Sequence, residues 1–562
     1  MKHLSKYFAV ALSALFMASC QQPDFKVSEA EATKAINSIT ASFIDDTSEE
    51  NHFKSEIDYD NHVITIVFPY TYPANTKYNL TEDDLKKVKV VANLDDNCSI
   101  EPSILIMDLT QDNLITVINQ KKERTDYIVR GEIRKSNACA VTAFKLIDEN
   151  LVGVVNESTK VISIIKDEAP AKQLAEVELS FGATITGTDP TKVACDYSKD
   201  VKFTVTAQDG KTTAEYTVKV QLPSTLEKGM RPGSGKILWN NKIVDTYAPA
   251  TPLMMTSMAV IKDYIVLNTR NEDMMVVNRK TGAKEGTIKL PFKSSLGNFK
   301  ATGDSSDNIL VTNLDSKEIV VYRIKGINGT PTEYIRYNVG GKSYGRGISV
   351  IGSLDEDAVI TMPRFEDAGW YFLRWTVTGG VLNTEPELVT INSSVNGGGW
   401  VYNCDVVATD PSNPKSDYFV NSYAKLTGGT TANVDRGTIW IDGATNKDKC
   451  HSPYTSSNWV RNALDYVNFN GVGYLIANSV NSFTWGADDM IYLYDLGDAN
   501  LDNIVWKSEV GIYGSMNNIT QANGGACSDV ALRLSDNGYY MYAYFFFAGG
   551  QLVCLQFDCL DM

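Results

Sequence analysis

The sequence predicts an all-β protein: two N-terminal immunoglobulin-like β-sandwiches followed by a C-terminal β-propeller of six blades, or seven if Ser452 to Leu464 holds a further one. Three observations carry this. The chain is rich in Tyr (28), Phe (20) and Gly (40), with Val, Ile and Thr in short alternating runs, and helix-like periodicity is almost confined to Ser28 to Ile36. A unit of about 90 residues occurs twice in the N-terminal part. A different unit, with a spacing of roughly 45 to 65 residues, recurs six times after it.

In the first sandwich the predicted strands are Ile39 to Phe43, His62 to Ile66, Lys87 to Val90, Leu114 to Val117 and Tyr127 to Val129. The second repeats their order with Val141 to Phe144, Lys160 to Ile164, Ala175 to Leu179, Val201 to Val205 and Tyr216 to Val218. Gln208-Asp209-Gly210-Lys211 supplies a hairpin turn before the last of these. Small sandwiches are the natural product of such a pattern.

From Lys236 onward two kinds of strand recur as pairs, such as Tyr264 to Leu267 with Met274 to Val277, Asn308 to Val311 with Ile319 to Tyr322, and Tyr539 to Tyr542 with Leu552 to Leu555. The last pair leaves its blade one strand short, and Lys236 to Trp239 with Lys242 to Val244 is the segment that can complete it. Such closure removes a long unpaired edge. The predicted boundaries are 1–19 for an export signal, 20–37 for a lipidated cysteine and tether, 38–138 and 139–224 for the sandwiches, and 225–562 for the propeller.

Lys2 and Lys6, the apolar run Tyr7 to Met17, and Ala18-Ser19-Cys20 follow the charged, apolar, small-residue order of an export signal. The run is too short to span a bilayer. Met17-Ala18-Ser19-Cys20 resembles a lipobox, which implies acylation of Cys20 and membrane attachment through lipid. Removing Lys2 and Lys6 with the signal takes the formal charge from −16 to −18, a balance that disfavours nucleic-acid partners. Eight cysteines remain after Cys20, without CxxC spacing. Cys554 with Cys559, or Cys404 with Cys450, are the pairs that could form disulfides, against buried thiols.

Only His52, His62 and His451 remain in the mature chain, so a Ser-His-Asp triad or an imidazole-rich zinc site in the propeller would rest on His451, which is read as a loop residue. No catalytic residue, metal ligand or cofactor is predicted. Asp355, Glu356, Asp357, Glu366, Asp367, Asp488 and Asp489 could supply a carboxylate pair but are read as turn acids. Asp304, Asp307 and Asp315 do not match a calcium loop.

All eight Trp lie in the propeller segment. Trp375 and Trp440 sit in alternating strands and are read as core, whereas Trp370, Trp400, Trp459 and Trp485 sit in loop contexts. Sugar rings stack on aromatic side chains while their hydroxyls take hydrogen bonds. Trp400 has Tyr402 and Asn403 near it, Trp459 has Arg461, and Trp370 has Arg364; Tyr344 and Arg346, with Lys342, extend the same group and suit a carboxylate or sulfate. These residues are the predicted ligand-binding set, against aromatics that brace long loops.

Cys20, the paired repeats around Ile64-Thr65-Ile66 and Tyr216-Thr217-Val218-Lys219-Val220, the segment Val205 to Gly210, and Met230 to Lys236 before the propeller together resemble multidomain surface lipoproteins of the Bacteroidota type, similar to SusE/SusF-like glycan-binding proteins of polysaccharide utilisation systems. The resemblance implies a non-catalytic, outer-membrane lipoprotein facing the cell exterior, with sandwiches as spacers and a distal domain that holds polysaccharide beside a TonB-dependent transporter. A propeller glycoside hydrolase or lyase, and a protein-protein adhesin or assembly lipoprotein, are the alternatives.

Overall fold

The computed structural model describes residues 35–46, 52–74, 76–365, 369–393, 404–421, 437–452, 461–480 and 489–561. Strand makes up 51% and helix 3%, as the all-β reading requires. The chain divides into two compact units, Met1–Leu222 and Pro223–Met562.

The first unit holds both sandwiches. Its strands are β1 (Ile36–Phe43), β2 (Phe53–Asp58), β3 (Val63–Pro69), β4 (Val88–Leu94), β5 (Ser99–Glu101), β6 (Ile106–Met107), β7 (Asn113–Ile118) and β8 (Arg124–Arg134), then β9 (Val141–Leu146), β10 (Leu151–Asn156), β11 (Val161–Ile165), β12 (Ala175–Leu179), β13 (Thr184–Thr186), β14 (Val201–Thr206) and β15 (Thr213–Gln221). Their lateral orders are β5-β7-β8-β3-β2-β1-β4-β6 and β13-β14-β15-β11-β10-β9-β12, so the second copy repeats the first without β6. Each contains one parallel pair, β3 with β8 and β11 with β15. Ile36, expected in a helical tether, instead opens β1.

Strands β2 and β10 were not anticipated, and they hold each sandwich together by pairing with both of its sheets. At the crossing, Gly153 of β10 leaves no room for a side chain, because a Cβ there would lie 2.7 Å from Ile162. The equivalent position of β2 is Ser55, whose Oγ accepts a hydrogen bond from the Ile39 amide at 2.9 Å. The hairpin after β14 turns at Gly210, with φ of 70°, while the Asp209 carboxylate accepts from the Lys211 and Thr212 amides.

The second unit is a six-bladed propeller. Blade 1 comprises Met255–Val260, Tyr264–Thr269, Met274–Asn278 and Lys284–Ile288, from the channel outward. The innermost strands of blades 2 to 6 are Lys300–Gly303, Ser349–Gly352, Val406–Ala408, Leu464–Phe469 and Ser528–Leu534. Each predicted strand pair is the second and third strand of one blade. Strand β16 (Lys236–Lys242) is the outer strand of blade 6, antiparallel to Gln551–Asp558, with a register shift between Ile237 and Trp239. The segment before it runs along the same chain end, where Arg231 grips the Asp558 carboxylate through Nε and Nη2 at 2.7 and 2.6 Å.

Ring closure is also visible in the packing. Six apolar clusters each join two consecutive blades, and one of them unites Met258, Ile265 and Val277 of blade 1 with Tyr544, Phe546 and Cys554 of blade 6. The described cysteines are free thiols, and because successive side chains of a strand point to opposite faces of the blade, neither of the two expected pairs shares a cluster. Cys554 and Cys559 serve different clusters. Cys404 lies between blades 3 and 4, and Cys450 packs against the cluster between blades 4 and 5.

Candidate functional site

An inner strand has one edge facing the channel, and its amides there need acceptors. Side chains of the preceding blade supply them. Asp405 of blade 4 accepts from the Leu464 amide of blade 5 at 3.4 Å, Asp465 from Leu532 of blade 6 at 2.8 Å, and Asp529 from Met258 of blade 1 at 2.9 Å. Ser257 Oγ accepts from Ala301 of blade 2 at 2.7 Å, and the Ser349 hydroxyl donates to Asp405. Lys300 is buried among them, 3.7 Å from Asp529. The three carboxylates that converge on the channel are therefore clasps between blades.

Burial pushes the Asp405 carboxyl up to about 7, with the Lys300 charge and the Ser349 hydroxyl acting in the other direction. Asp465 and Asp529 are raised by the same cause. For an acid raised in the folded state, the unfolded chain ionises first as pH increases. The contribution of Asp405 to stability is then full below about pH 4 and lost by about pH 7, at up to about 1.4 kcal/mol per pH unit. The difference in thermal stability between the native chain and Asp405→Asn should change over that window; a constant difference from pH 4 to 7 refutes the assignment.

One end of the channel is closed by Arg533. Its Nε donates to Val260 O at 3.1 Å, Nη1 to Asp465 and to Leu532 O at 2.8 and 2.7 Å, and Nη2 to Gly303 O at 2.9 Å. Outside this plug lies a cavity of about 330 Å³, with Lys262, Arg279, Asp304, Tyr466 and Asp536 on its wall.

The opposite face carries the connections between blades and the turns from second to third strands. Four arginines sit on aromatic rings there. Arg270 lies 4.8 Å from the centre of Phe299, Arg346 lies 4.5 Å from Phe365 and 5.8 Å from Phe299, Arg364 lies 4.7 Å from Tyr371, and Arg461 lies 4.7 Å from Tyr492. Phe299 is buried, while Arg270, Arg346, Arg364, Phe365 and Tyr371 are half-buried.

Of the predicted ligand-binding set, Tyr344, Arg346, Arg364, Trp370 and Arg461 are described and belong to this face. Trp400, Tyr402, Asn403, Trp459 and Trp485 lie outside the described residues, as does Cys20. Three of the five are not presented to solvent. Trp370 is 5% exposed because its indole fills the cluster between blades 3 and 4 with Phe372, Val389 and Tyr418. Tyr344 packs between blades 2 and 3 beside a short pairing with Arg364. Arg461 is 2% exposed and donates to Tyr494 Oη at 3.0 Å.

Trp375 is fully buried, as expected, whereas Trp440 is half-buried with its Nε1 donating to Asp417 at 2.9 Å. His451 is not in a loop; it ends the outer strand of blade 4. Asp355 pairs with Arg323 and Lys325, and Asp357 accepts from the Gly379 amide. Asp304 and Asp315 accept from turn amides. Glu366, Asp367 and Asp488 lie outside the described residues. Arg270 and Phe299 were not singled out in the sequence; the available signal was an arginine directly after a second strand, a position that Arg364 nearly repeats in blade 3.

Among the described residues no helix is long and apolar enough to cross a membrane. No curated protein matches the sequence. A crystal structure of a DUF4623 family protein from Bacteroides eggerthii is similar at 14% identity and TM-score 0.45, covering 75% of this chain and 98% of its own. A Bacteroides fragilis protein, described as secreted, matches at 17% identity and TM-score 0.14, covering 19% of this chain and 100% of its own. Family models match three stretches: DUF5018 over residues 15–131, DUF8499 over 141–220 and DUF8500 over 241–561, each a domain of unknown function. The last takes in more than half of the sequence, and the protein belongs to the DUF8500 family.

Proposed function

We propose that this protein is an outer-membrane lipoprotein, held through Cys20 and facing the cell exterior, that captures polysaccharide on the arginine- and aromatic-bearing face of its propeller without cleaving it. It would serve a TonB-dependent importer in the manner of SusE/SusF-like proteins. The observation that carries the reading is the group formed by Arg346, Phe365, Arg364 and Tyr371, where rings and guanidinium groups lie side by side and half-exposed. Aromatic faces stack on the C–H faces of sugars, and guanidinium groups donate to their oxygens. The engagement of Asp405, Asp465 and Asp529 with backbone amides supports a binding role over a hydrolytic one.

Affinity electrophoresis through a panel of polysaccharide gels, with the products analysed by chromatography, tests this. The expected result is retardation without product release, weakened at least tenfold by Phe365→Ala and by Trp400→Ala in variants that melt like the native protein. Release of oligosaccharides would show a hydrolase or lyase instead, and retardation by no glycan would refute the reading.

A further inference from the structure

The same face suggests which class of glycan it takes; the inference rests on the capture reading and narrows it. Phe299 stands just before the inner strand of blade 2, Arg270 follows the second strand of blade 1, and Arg346 precedes the inner strand of blade 3. Residues far apart in sequence thus form a ladder across three blades: Arg270, Phe299, Arg346, Phe365. Two guanidinium groups lie within 6 Å of one phenyl ring, an arrangement whose like-charge repulsion a nearby anion would offset.

Arg270 sharpens the point. In a chain of formal charge −16, most described arginines have a carboxylate partner, as Arg124, Arg134, Arg231, Arg323, Arg336 and Arg374 do. Arg270 forms no ion pair among the described residues. Its Nε donates to the Ser295 carbonyl at 2.6 Å, which fixes the group in place over Phe299. With Nε engaged by Ser295, the two terminal nitrogens of the guanidinium are the pair that can receive a carboxylate or sulfate through two parallel hydrogen bonds.

We propose that this ladder binds an acidic glycan, a polysaccharide whose sugars carry carboxylate or sulfate groups, with Arg270 and Arg346 meeting the anion and Phe365 meeting the ring. Three gels separate the sources and the outcomes: dextran, dextran sulfate and polygalacturonate, beside a wider panel of neutral polysaccharides. Retardation is expected in polygalacturonate or dextran sulfate but not in dextran, and the gel that retards identifies the anionic group. It should weaken at least tenfold between about 0.05 and 0.5 M salt. Arg270→Gln and Arg346→Gln should each lower retention about tenfold or more with unchanged melting temperature, and Arg270→Lys should recover part of it.

Retention by neutral glycans alone overturns the acidic class and leaves capture standing. Retention by none of the gels overturns both. Salt-insensitive retention of the acidic polymers, or retention in both Gln variants equal to that of the native protein, overturns the ladder.

Discussion

Replacing the seven residues of β16 by glycine and serine is expected to abolish the cooperative melting of the propeller and to send the protein into the void volume on size exclusion. The strand Gln551–Asp558 would lose its outer neighbour over Gln551 to Gln556 and become an open edge at the end of the ring. The apolar cluster between blades 6 and 1 would also lose Trp239, whose indole packs near Tyr544 and donates from Nε1 to Arg279 O at 3.2 Å. Through β16 the chain that leads into blade 1 is paired with blade 6, so the loss is not local. The sandwich unit has its own cores around Tyr127 and Tyr216 and should keep a separate calorimetric transition. A propeller transition retained within about 2 °C of its native position would show that the ring does not depend on this strand. Trp239→Ala, which spares the backbone pairing, should fall between the two, by about 3 kcal/mol.

The closing strand was legible because a count of strand pairs left the last blade short, and because Ile237, Leu238 and Trp239 stood beside the boundary; Ile243 and Val244, expected to continue it, instead lie in a one-turn helix, Ile243–Thr246. The second and third strands of every blade were legible for a different reason: both their faces are packed, so they read as short apolar runs after turns. Inner strands did not read so clearly. Lys300-Ala301-Thr302-Gly303 and Ser349-Val350-Ile351-Gly352 are buried or half-buried, yet they carry Lys, Ser, Thr and Gly because their neighbours across the ring are clasps rather than core. Outer strands such as Lys447–His451 are half-exposed and polar, which is why His451 looked like a loop residue.

The same physics explains the candidate site. Trp370 follows Gly369 in an acidic stretch and reads as a loop aromatic, but it stands one residue before the third strand of blade 3, where its indole reaches the next blade. Arg461 follows a polar stretch and is nevertheless buried, with its guanidinium over the Tyr492 ring and Nη1 donating to Tyr494. Beyond the place of Arg270 directly after a second strand, the Arg270 and Phe299 pair had no local signal, since its members stand 29 residues apart in the chain and only the ring brings them together.

Arg533→Ala is expected to destabilise the propeller by about 3 kcal/mol, the lower end of the cost of breaking a buried ion pair, because Arg533 and Asp465 are largely but not fully buried. The guanidinium reaches four blades: it donates to Val260 O of blade 1, Gly303 O of blade 2, Asp465 of blade 5 and Leu532 O of its own blade 6. Its removal leaves two carbonyls of neighbouring blades without that donor. It also leaves the Asp465 carboxylate held by the Leu532 and Tyr466 amides but without a counter-charge. Arg533 lowers the Asp465 pKa against the effect of burial, so the variant should take up a proton there at higher pH than the native chain does. Asp465→Asn in the Arg533→Ala background should then recover part of the loss at pH 7, while Asp465→Asn alone should destabilise. Denaturant melts of the two single variants and the double variant measure the coupling, which should exceed about 1 kcal/mol. Additive effects would mean that Arg533 acts only as a steric plug, and the ring would then owe its closure to β16, the inter-blade clusters and the clasps of Asp405, Asp529 and Ser257.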